Sequence, residues 1–401
     1  MQATVGAHSA SRCARRKTGN RHIALLIEQA NEYTRGILRG FQTYMNRKET
    51  WSLFLGDPDW IRGGSIVDSD RFDGILALVT NHEIAYAIRS SGLPAVDLSS
   101  AGLLPELPCV YADDESVARL GASHLLERGY KSLAYCGNQD SCDSASRGQS
   151  FVHFVEQQGL TCSLLSMSRI EMAASWVDGG RRMVDWMASL PKPLGIFVSD
   201  DTLGQRVLEA CLLAGLSVPQ EVGVISVGND SLLCGLSAPP LSSIAQDTAS
   251  AGYRAAALLD RMMNGERIEH ESYPIEPLGV VARLSTDAAF TRDSLVSDAV
   301  RFIRSHAHRD INVEDVLQHF HISRRALEMR FRKALGQTPH EEILDTKLQL
   351  VKQLLADYGL TLPMVAERAG YKHSEYMSAV FKKRFGVTPG EYRRQCRESA
   401  L

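Results

Sequence analysis

Two short runs near the carboxyl end carry side chains suited to reading a nucleic acid. The first holds Arg324, Arg325, Glu328, Met329, Arg332 and Lys333; the second holds Ser374, Glu375, Ser378, Ala379, Lys382 and Lys383. Spacings of three and four put each run on one helix face. On such a face Arg325 suits the O6 and N7 acceptors of guanine, and Glu328 suits the N4 donor of cytosine. Arg330, Arg332, Lys333, Lys382, Lys383 and Arg384 suit phosphate oxygens, contacts that fix position without reading sequence. An isolated helix of this composition would serve equally well as a solvated face.

The elements around these runs favour the recognition role. Phe331, Lys333, Gly336 and Thr338-Pro339 recur as Phe381, Lys383, Gly386 and Thr388-Pro389 at an offset of fifty, the mark of a duplicated unit. Each copy reads as helix, tight turn, helix. In the first, Val313, Val316, Leu317 and Phe320 recur at helical spacing, as do Leu327, Phe331 and Leu335 after the turn. Ser323 is placed to cap the second helix and Gly336 to end it. In the second copy Pro363 opens a helix, where its missing N–H costs nothing. Gly370 supplies the turn, Ser374 the cap and Gly386 the stop. A linker helix is expected from Glu341 to about Asp357. The second helix of such a unit lies in the major groove with its first residues on base edges.

Charge is distributed to match. From Leu295 onward there are 18 Lys/Arg against 13 Asp/Glu, whereas Ile23 to Ser294 carries 21 against 34. A basic end on an acidic body fits a DNA-binding module joined to a module of another kind. The 401 residues suffice for two or three domains. No apolar run is long enough to span a membrane, so no membrane partner is expected. Residues 1–20 are basic (Arg12, Arg15, Arg16, Lys17), lack the apolar run of a secretory signal, and are expected to form a disordered tail. The eight cysteines include no Cys-x-x-Cys pair, which fits a reducing compartment. His306-x-His308 and His319-x-His321 have no carboxylate or cysteine at ligand spacing, so no metal is expected.

The first three hundred residues alternate apolar runs with helical patterns. Strands are expected at Ile23–Ile27, Gly74–Val79, Ala95–Asp97, Ser132–Cys136, Leu194–Val198 and Gly223–Val227. Helices are expected at Arg35–Arg47, Glu83–Ser91, Ser116–Arg128, Arg147–Gln158, Gly179–Ser189 and Leu203–Ala214. This alternation predicts an α/β domain of parallel sheets with helices on both faces, its ligand at the carboxyl ends of the strands. No nucleophile elbow, P-loop, dinucleotide fingerprint or zinc-protease motif occurs. A binding module with no cofactor is therefore favoured over an enzyme.

The stretch from about Asp298 to Arg397 resembles the AraC/XylS family of transcription regulators. The match is carried by Ile322-Ser323, Leu327, Phe331, Gly336, Thr338-Pro339, Gly370-Tyr371 and the run Phe381-Lys382-Lys383-x-Phe385-Gly386-Val387-Thr388-Pro389-x-Glu391-Tyr392-Arg393. The resemblance implies an all-α C-terminal domain of seven helices with two helix-turn-helix units on double-stranded DNA. Lys347 stands where the family usually has Arg, and Val351 where it has Ala.

The preceding region resembles the periplasmic-binding-protein-like sensors of LacI-type regulators. Gly215-Leu216-Ser217-Val218-Pro219 through Val227, Pro239-Pro240-Leu241-Ser242-Ser243-Ile244 and Asp113-Asp114 through Gly129 carry this match. The combination is that of the xylose-operon activators, which share Tyr33-x-Arg35, Arg147, Trp176 and Gln246. The resemblance implies a two-lobed sensor at 21–285, a linker at 286–296 and the DNA-binding domain at 297–398. It further implies a sugar effector, a pentose such as D-xylose, held by Tyr33, Arg35, Arg147, Trp176, Asp201 and Asn229. A cytoplasmic homodimer, activating transcription with RNA polymerase as a further partner, completes the expectation. Each ligand residue has an ordinary alternative as a helix cap, ion pair or core side chain. Gly228 stands where a hydroxyl-binding carboxylate is usual, with Asp230 as a possible substitute. The rival functions are a sugar-binding protein with a degenerate DNA-binding domain and a repair-type enzyme with a reactive cysteine. No cysteine here has a context that would activate it.

Overall fold

The computed structural model describes residues 20–27, 31–48, 51–56, 71–168, 170–171, 176–268, 271–287, 293–355 and 360–398. The expected basic tail lies outside the described residues. The chain divides into two compact units, one of Met1–Tyr111 with Ala251–Tyr273, the other of Ala112–Ser250 with Pro274–Leu401.

The first unit is built on a six-stranded sheet. It contains β1 (Arg21–Leu26), β2 (Trp51–Gly56), β3 (Gly74–Ala77), β4 (Ala95–Asp97), β5 (Cys109–Ala112) and β11 (Ser272–Ile275), in the order β11-β5-β4-β3-β1-β2. The first five pair in parallel, which requires helical crossovers. Helices α1 (Glu32–Met45) and α2 (His82–Ser91) supply two of them. Each opens on an asparagine, Asn31 or Asn81, whose side chain accepts a hydrogen bond from the amide three residues on. Ala24, Leu26, Ile75, Ala77, Ile84 and Ile88 are buried together on one side of the sheet.

The second unit opens with another six-stranded sheet. Its strands are β6 (Ser132–Asn138), β7 (Cys162–Met167), β8 (Leu194–Val198), β9 (Val222–Val227), β10 (Ser242–Ala245) and β12 (Gly279–Val281), in the order β12-β10-β9-β8-β6-β7. Only β12 runs antiparallel to its neighbour, β10, among the described pairings. Side chains alternate across this sheet as strand geometry requires. Leu133, Tyr135, Phe197, Ile225 and Val227 pack against α3 (Asp114–Glu127) and α4 (Cys142–Gln157). Ala134, Cys136, Ile196, Val198 and Val224 pack on the other side with α5 (Trp176–Ser189) and α6 (Asp201–Leu213). Helix α7 (Ser231–Leu236) follows β9, and α8 (Thr248–Met263) leads back to the first unit.

The remainder of the second unit is helical: α9 (Ser294–His306), α10 (Val313–Phe320), α11 (Arg324–Leu335), α12 (Pro339–Leu355), α13 (Leu362–Arg368), α14 (Ser374–Phe385) and α15 (Pro389–Glu398). These are the seven helices expected, and α9 begins inside the stretch read as linker. Two small cores result. One gathers Val296, Ile303, Val316, Leu327, Phe331 and Ile343; the other gathers Leu348, Val351, Leu355, Val365, Met377 and Phe381. Helix α12 contributes to both, Ile343 to one and Leu348 to the other, and so ties the repeats together.

Candidate DNA interface and effector site

The turn chemistry that positions the two outward faces follows the sequence closely. Asn312 and Asp315 form a reciprocal capping box at the start of α10. Ser323 accepts from the amide of Ala326, 3.4 Å away, to open α11, and Gly336 closes it at φ 71°. Thr361 caps α13, with Pro363 in its first turn. Ser374 corrects the expectation. It is the first helical residue of α14, and His373 stands at the cap position without a side-chain cap bond. The reason is turn length: two residues, Ile322 and Ser323, lie between the left-handed His321 and the start of α11, and three, Tyr371 to His373, lie between Gly370 and the start of α14.

On α11, Arg324, Arg325, Met329, Arg332 and Lys333 are exposed and Glu328 is half-buried. Arg324 is paired with Glu314 of α10 and Arg330 with Asp293 at 2.9 Å, which leaves Arg325, Met329, Arg332 and Lys333 as the outward set. On α14, Glu375, Ala379, Lys382 and Lys383 are exposed, while Ser374 and Ser378 are half-buried. Tyr376, 56% exposed, belongs with them. Its place three residues before Ala379 was the available signal.

A polar joint holds the two repeats in one arrangement. The ammonium of Lys347 is buried and donates to the carbonyl of Gly370 at 2.8 Å, and it lies 3.9 Å from Asp310. Lys372 pairs with the same Asp310 at 2.7 Å. Gly370 needs to be glycine twice over. Its φ is 71°, and a Cβ would fall 2.1 Å from the carbonyl oxygen of Arg309.

The effector candidates of the second unit meet at the carboxyl ends of β6, β8, β9 and β10. Arg147, on α4, is buried; its Nε donates to Asp114 at 2.6 Å and its Nη1 to the carbonyl of Ser199 at 2.8 Å. Burial pushes the Asp114 carboxyl up to about 6, against the opposing pull of Arg147. Asp201 is also buried. It accepts from Ser226, Ser243 and the amide of Asp230, each at 2.6 Å, and burial raises its pKa in spite of them. Its oxygens thus hold the loop after β9 in place. In that loop Asn229 adopts φ 55°, donates its amide to Ser243 and accepts from Arg283 at 2.7 Å. Asp230 caps α7 through the amides of Leu232 and Leu233. Gln246, which the resemblance marks only as a shared feature, directly follows β10. Its Nε2 is buried and has no hydrogen-bond partner among the described residues.

Trp176 is the first residue of α5, and its side chain lies outside the described residues. In the first unit Tyr33 and Arg35 are half-buried in the opening turn of α1, with Arg35 3.2 Å from Glu32. Among the described residues no group of three or more His, Cys, Asp or Glu is arranged to hold a metal. No described helix is long and apolar enough to cross a membrane.

Comparison with known proteins resolves the class. Residues 122–286 match the periplasmic binding protein-like domain and residues 316–395 the helix-turn-helix domain. The chain is 30% identical over 382 residues to the xylose operon regulatory protein of Haemophilus influenzae, covering 93% of this chain and 98% of that protein. The chain belongs to the xylose operon regulatory protein family. The xylose operon regulatory protein of Escherichia coli K12 is 29% identical over 384 residues, covering 94% of this chain and 97% of its own. The solved xylose-binding transcription activator XylR matches with a TM-score of 0.61 and 28% identity, over 94% of this chain and 99% of that one. As a member of this family the chain is a transcription regulator with a DNA-binding domain behind a sensor domain, and it is not an enzyme.

Proposed function

We propose that this regulator responds to a pentose, D-xylose or a close relative, and activates sugar-catabolism genes as a cytoplasmic homodimer. The sensor comprises residues 21–285, joined through 286–296 to a DNA-binding domain at 297–398. The observation that carries the sugar reading is the set of amide and guanidinium donors at the carboxyl ends of β6–β10. A buried amide donor without a partner costs about 1–3 kcal/mol, and a ring hydroxyl would satisfy the Nε2 of Gln246. Arg147 uses Nε and Nη1 within the protein, which leaves Nη2 to meet a ligand. Tyr33 and Arg35, after β1 in the first unit, and Trp176 are further candidates. The names of the family's members point to xylose.

DNA is read by α11 and α14. Arg325 and Met329 face base edges on the first helix, and Glu375, Ala379 and Tyr376 do so on the second. Arg332, Lys333, Lys382 and Lys383 take phosphates. Sugar binding alters DNA affinity, and contact with RNA polymerase follows from activation. Titration calorimetry with D-xylose, D-ribose and L-arabinose tests the effector: one pentose should bind, and both Arg147→Ala and Gln246→Ala should weaken it. A folded chain that binds no pentose would remove the sugar reading while leaving the regulator.

A further inference from the structure

The segment from Ala282 to Asp287 is gripped by the sensor and by the DNA-binding domain at once. Towards the sensor, the Arg283 guanidinium donates to Asn229 at 2.7 Å and to the carbonyl of Leu241 at 2.8 Å. The hydroxyl of Ser285 donates to the carbonyl of Val224 at 2.6 Å. Thr286 lies 2.8 Å from the ring nitrogen of His124 and 2.7 Å from Ser242. Towards the DNA-binding domain, Leu284 is buried in the core that holds α11, beside Val296, Ile303 and Phe331. Arg304 of α9 reaches the Ala282 carbonyl and Asp287, both at 3.3 Å, and Glu342 of α12 at 3.0 Å.

Asn229 stands in the loop after β9, one residue from Asp230, whose amide is fixed by Asp201. A displacement of that loop therefore pulls on Arg283. Leu284, the next residue, lies in the helix core of the first repeat, and the carbonyl of Ala282, the preceding one, accepts from Arg304. We propose that Arg283 is the positioning residue that carries the state of the β9 loop to the DNA-binding domain, with Leu284 and Arg304 as the receiving contacts. This rests on the reading of the β9 loop as effector-facing. The device is a short strap that turns at Leu284–Thr286, directly after Arg283. Its rigidity comes from burial, since Ser285 and Thr286 are fully buried and Leu284 nearly so.

The test uses the full-length chain, calorimetry with D-xylose, D-ribose and L-arabinose, and fluorescence anisotropy on DNA from its own promoter. In the unmodified chain the bound pentose should change DNA affinity by roughly 5–150-fold, the usual range of allosteric coupling. Arg283→Met should keep pentose binding and pentose-free DNA affinity but bring that ratio to near unity. Arg283→Lys, able to meet only one of the two acceptors, should retain part of it. Asp287→Asn, a near-isosteric change at a half-buried position, should reduce the ratio and guards against a variant that merely fails to fold. An undiminished ratio in both Arg283→Met and Asp287→Asn overturns the inference alone. Equal loss of DNA affinity with and without pentose, the ratio intact, assigns Arg283 a structural role and also overturns it. An unmodified chain that binds none of the three sugars overturns the effector reading and the inference with it.

Discussion

Replacing His124 with Gln tests how the sensor is held together beneath β10 and the 282–287 segment. His124 is 6% exposed, and its Nε2 lies 2.8 Å from the Thr286 hydroxyl. Burial, reinforced by Arg128, pulls the imidazole down from 6.5 to about 3. The folded state therefore refuses a proton that the unfolded chain accepts. The stabilisation is fully present above pH 6.5 and is lost as pH falls towards 3, by about 1.4 kcal/mol for each unit. Between pH 7.5 and 5.0 the loss comes to about 2 kcal/mol. Asp114 works the other way over the same window. Its carboxyl is raised to about 6, so its contribution is present at low pH and is lost as pH rises through 6. Over this window Asp114 offsets about 1.4 kcal/mol of the loss in the unmodified chain, so the comparison with a variant is what isolates His124. Urea titrations at both pH values, followed through Trp186 in the same sheet domain, should show His124→Gln gaining about 2 kcal/mol on the unmodified chain at pH 5.0 relative to pH 7.5. Parallel behaviour at the two pH values would refute the reasoning and place the imidazole in a hydrated site.

Other substitutions probe the DNA-binding domain and the sugar loop. Arg325→Ala should relax discrimination at one base pair by about 1–3 kcal/mol, seen by anisotropy on a set of single-base variants of the operator. Lys383→Ala should weaken all DNA alike and reduce the salt slope by about one unit; a base-specific loss would reassign it. Gly370→Ala forces a left-handed alanine, about 1–2 kcal/mol from the backbone alone, and sets its Cβ 2.1 Å from a carbonyl oxygen. Thermal unfolding should show the second repeat melting first and promoter selectivity lost; unchanged melting would contradict the joint. Gly228→Asp should lower the melting temperature and give no gain in pentose affinity. Residue 228 has φ 125°, and a Cβ there would fall 2.9 Å from Asp201 Oδ2. A tighter-binding Gly228→Asp chain would show the loop to be adaptable.

The sequence showed most where its signals were local. The duplication, Ser323, Pro363 and the two glycines that end α11 and α14 announce the helix-turn-helix units because caps and stops depend on neighbours in the chain. Ser374 misled because one extra residue in the second turn moves the cap position to His373. In the sensor, the buried strands β3 and β8 stood out as continuous apolar runs. Edge strands β2 and β7 and the serine-bearing β10 did not, since half-exposed or hydrogen-bonding strands lack that signature. The polar joint of Lys347, Asp310 and Gly370 and the strap at Arg283 join residues from 23 to 54 positions apart. Nothing in local periodicity marks such pairings. Asp201 shows the limit most clearly. Its type and place fit a sugar ligand, yet it is its hydrogen bonds to Ser226, Ser243 and the Asp230 amide that define what it holds.

Fluorescence anisotropy of the full-length protein on DNA from its own promoter region against scrambled DNA, with and without D-xylose, decides whether the chain is a sugar-responsive DNA-binding regulator. Selective binding to the promoter, shifted by the sugar, is expected. Equal binding to both DNAs by folded protein at moderate salt, with or without sugar, would contradict it.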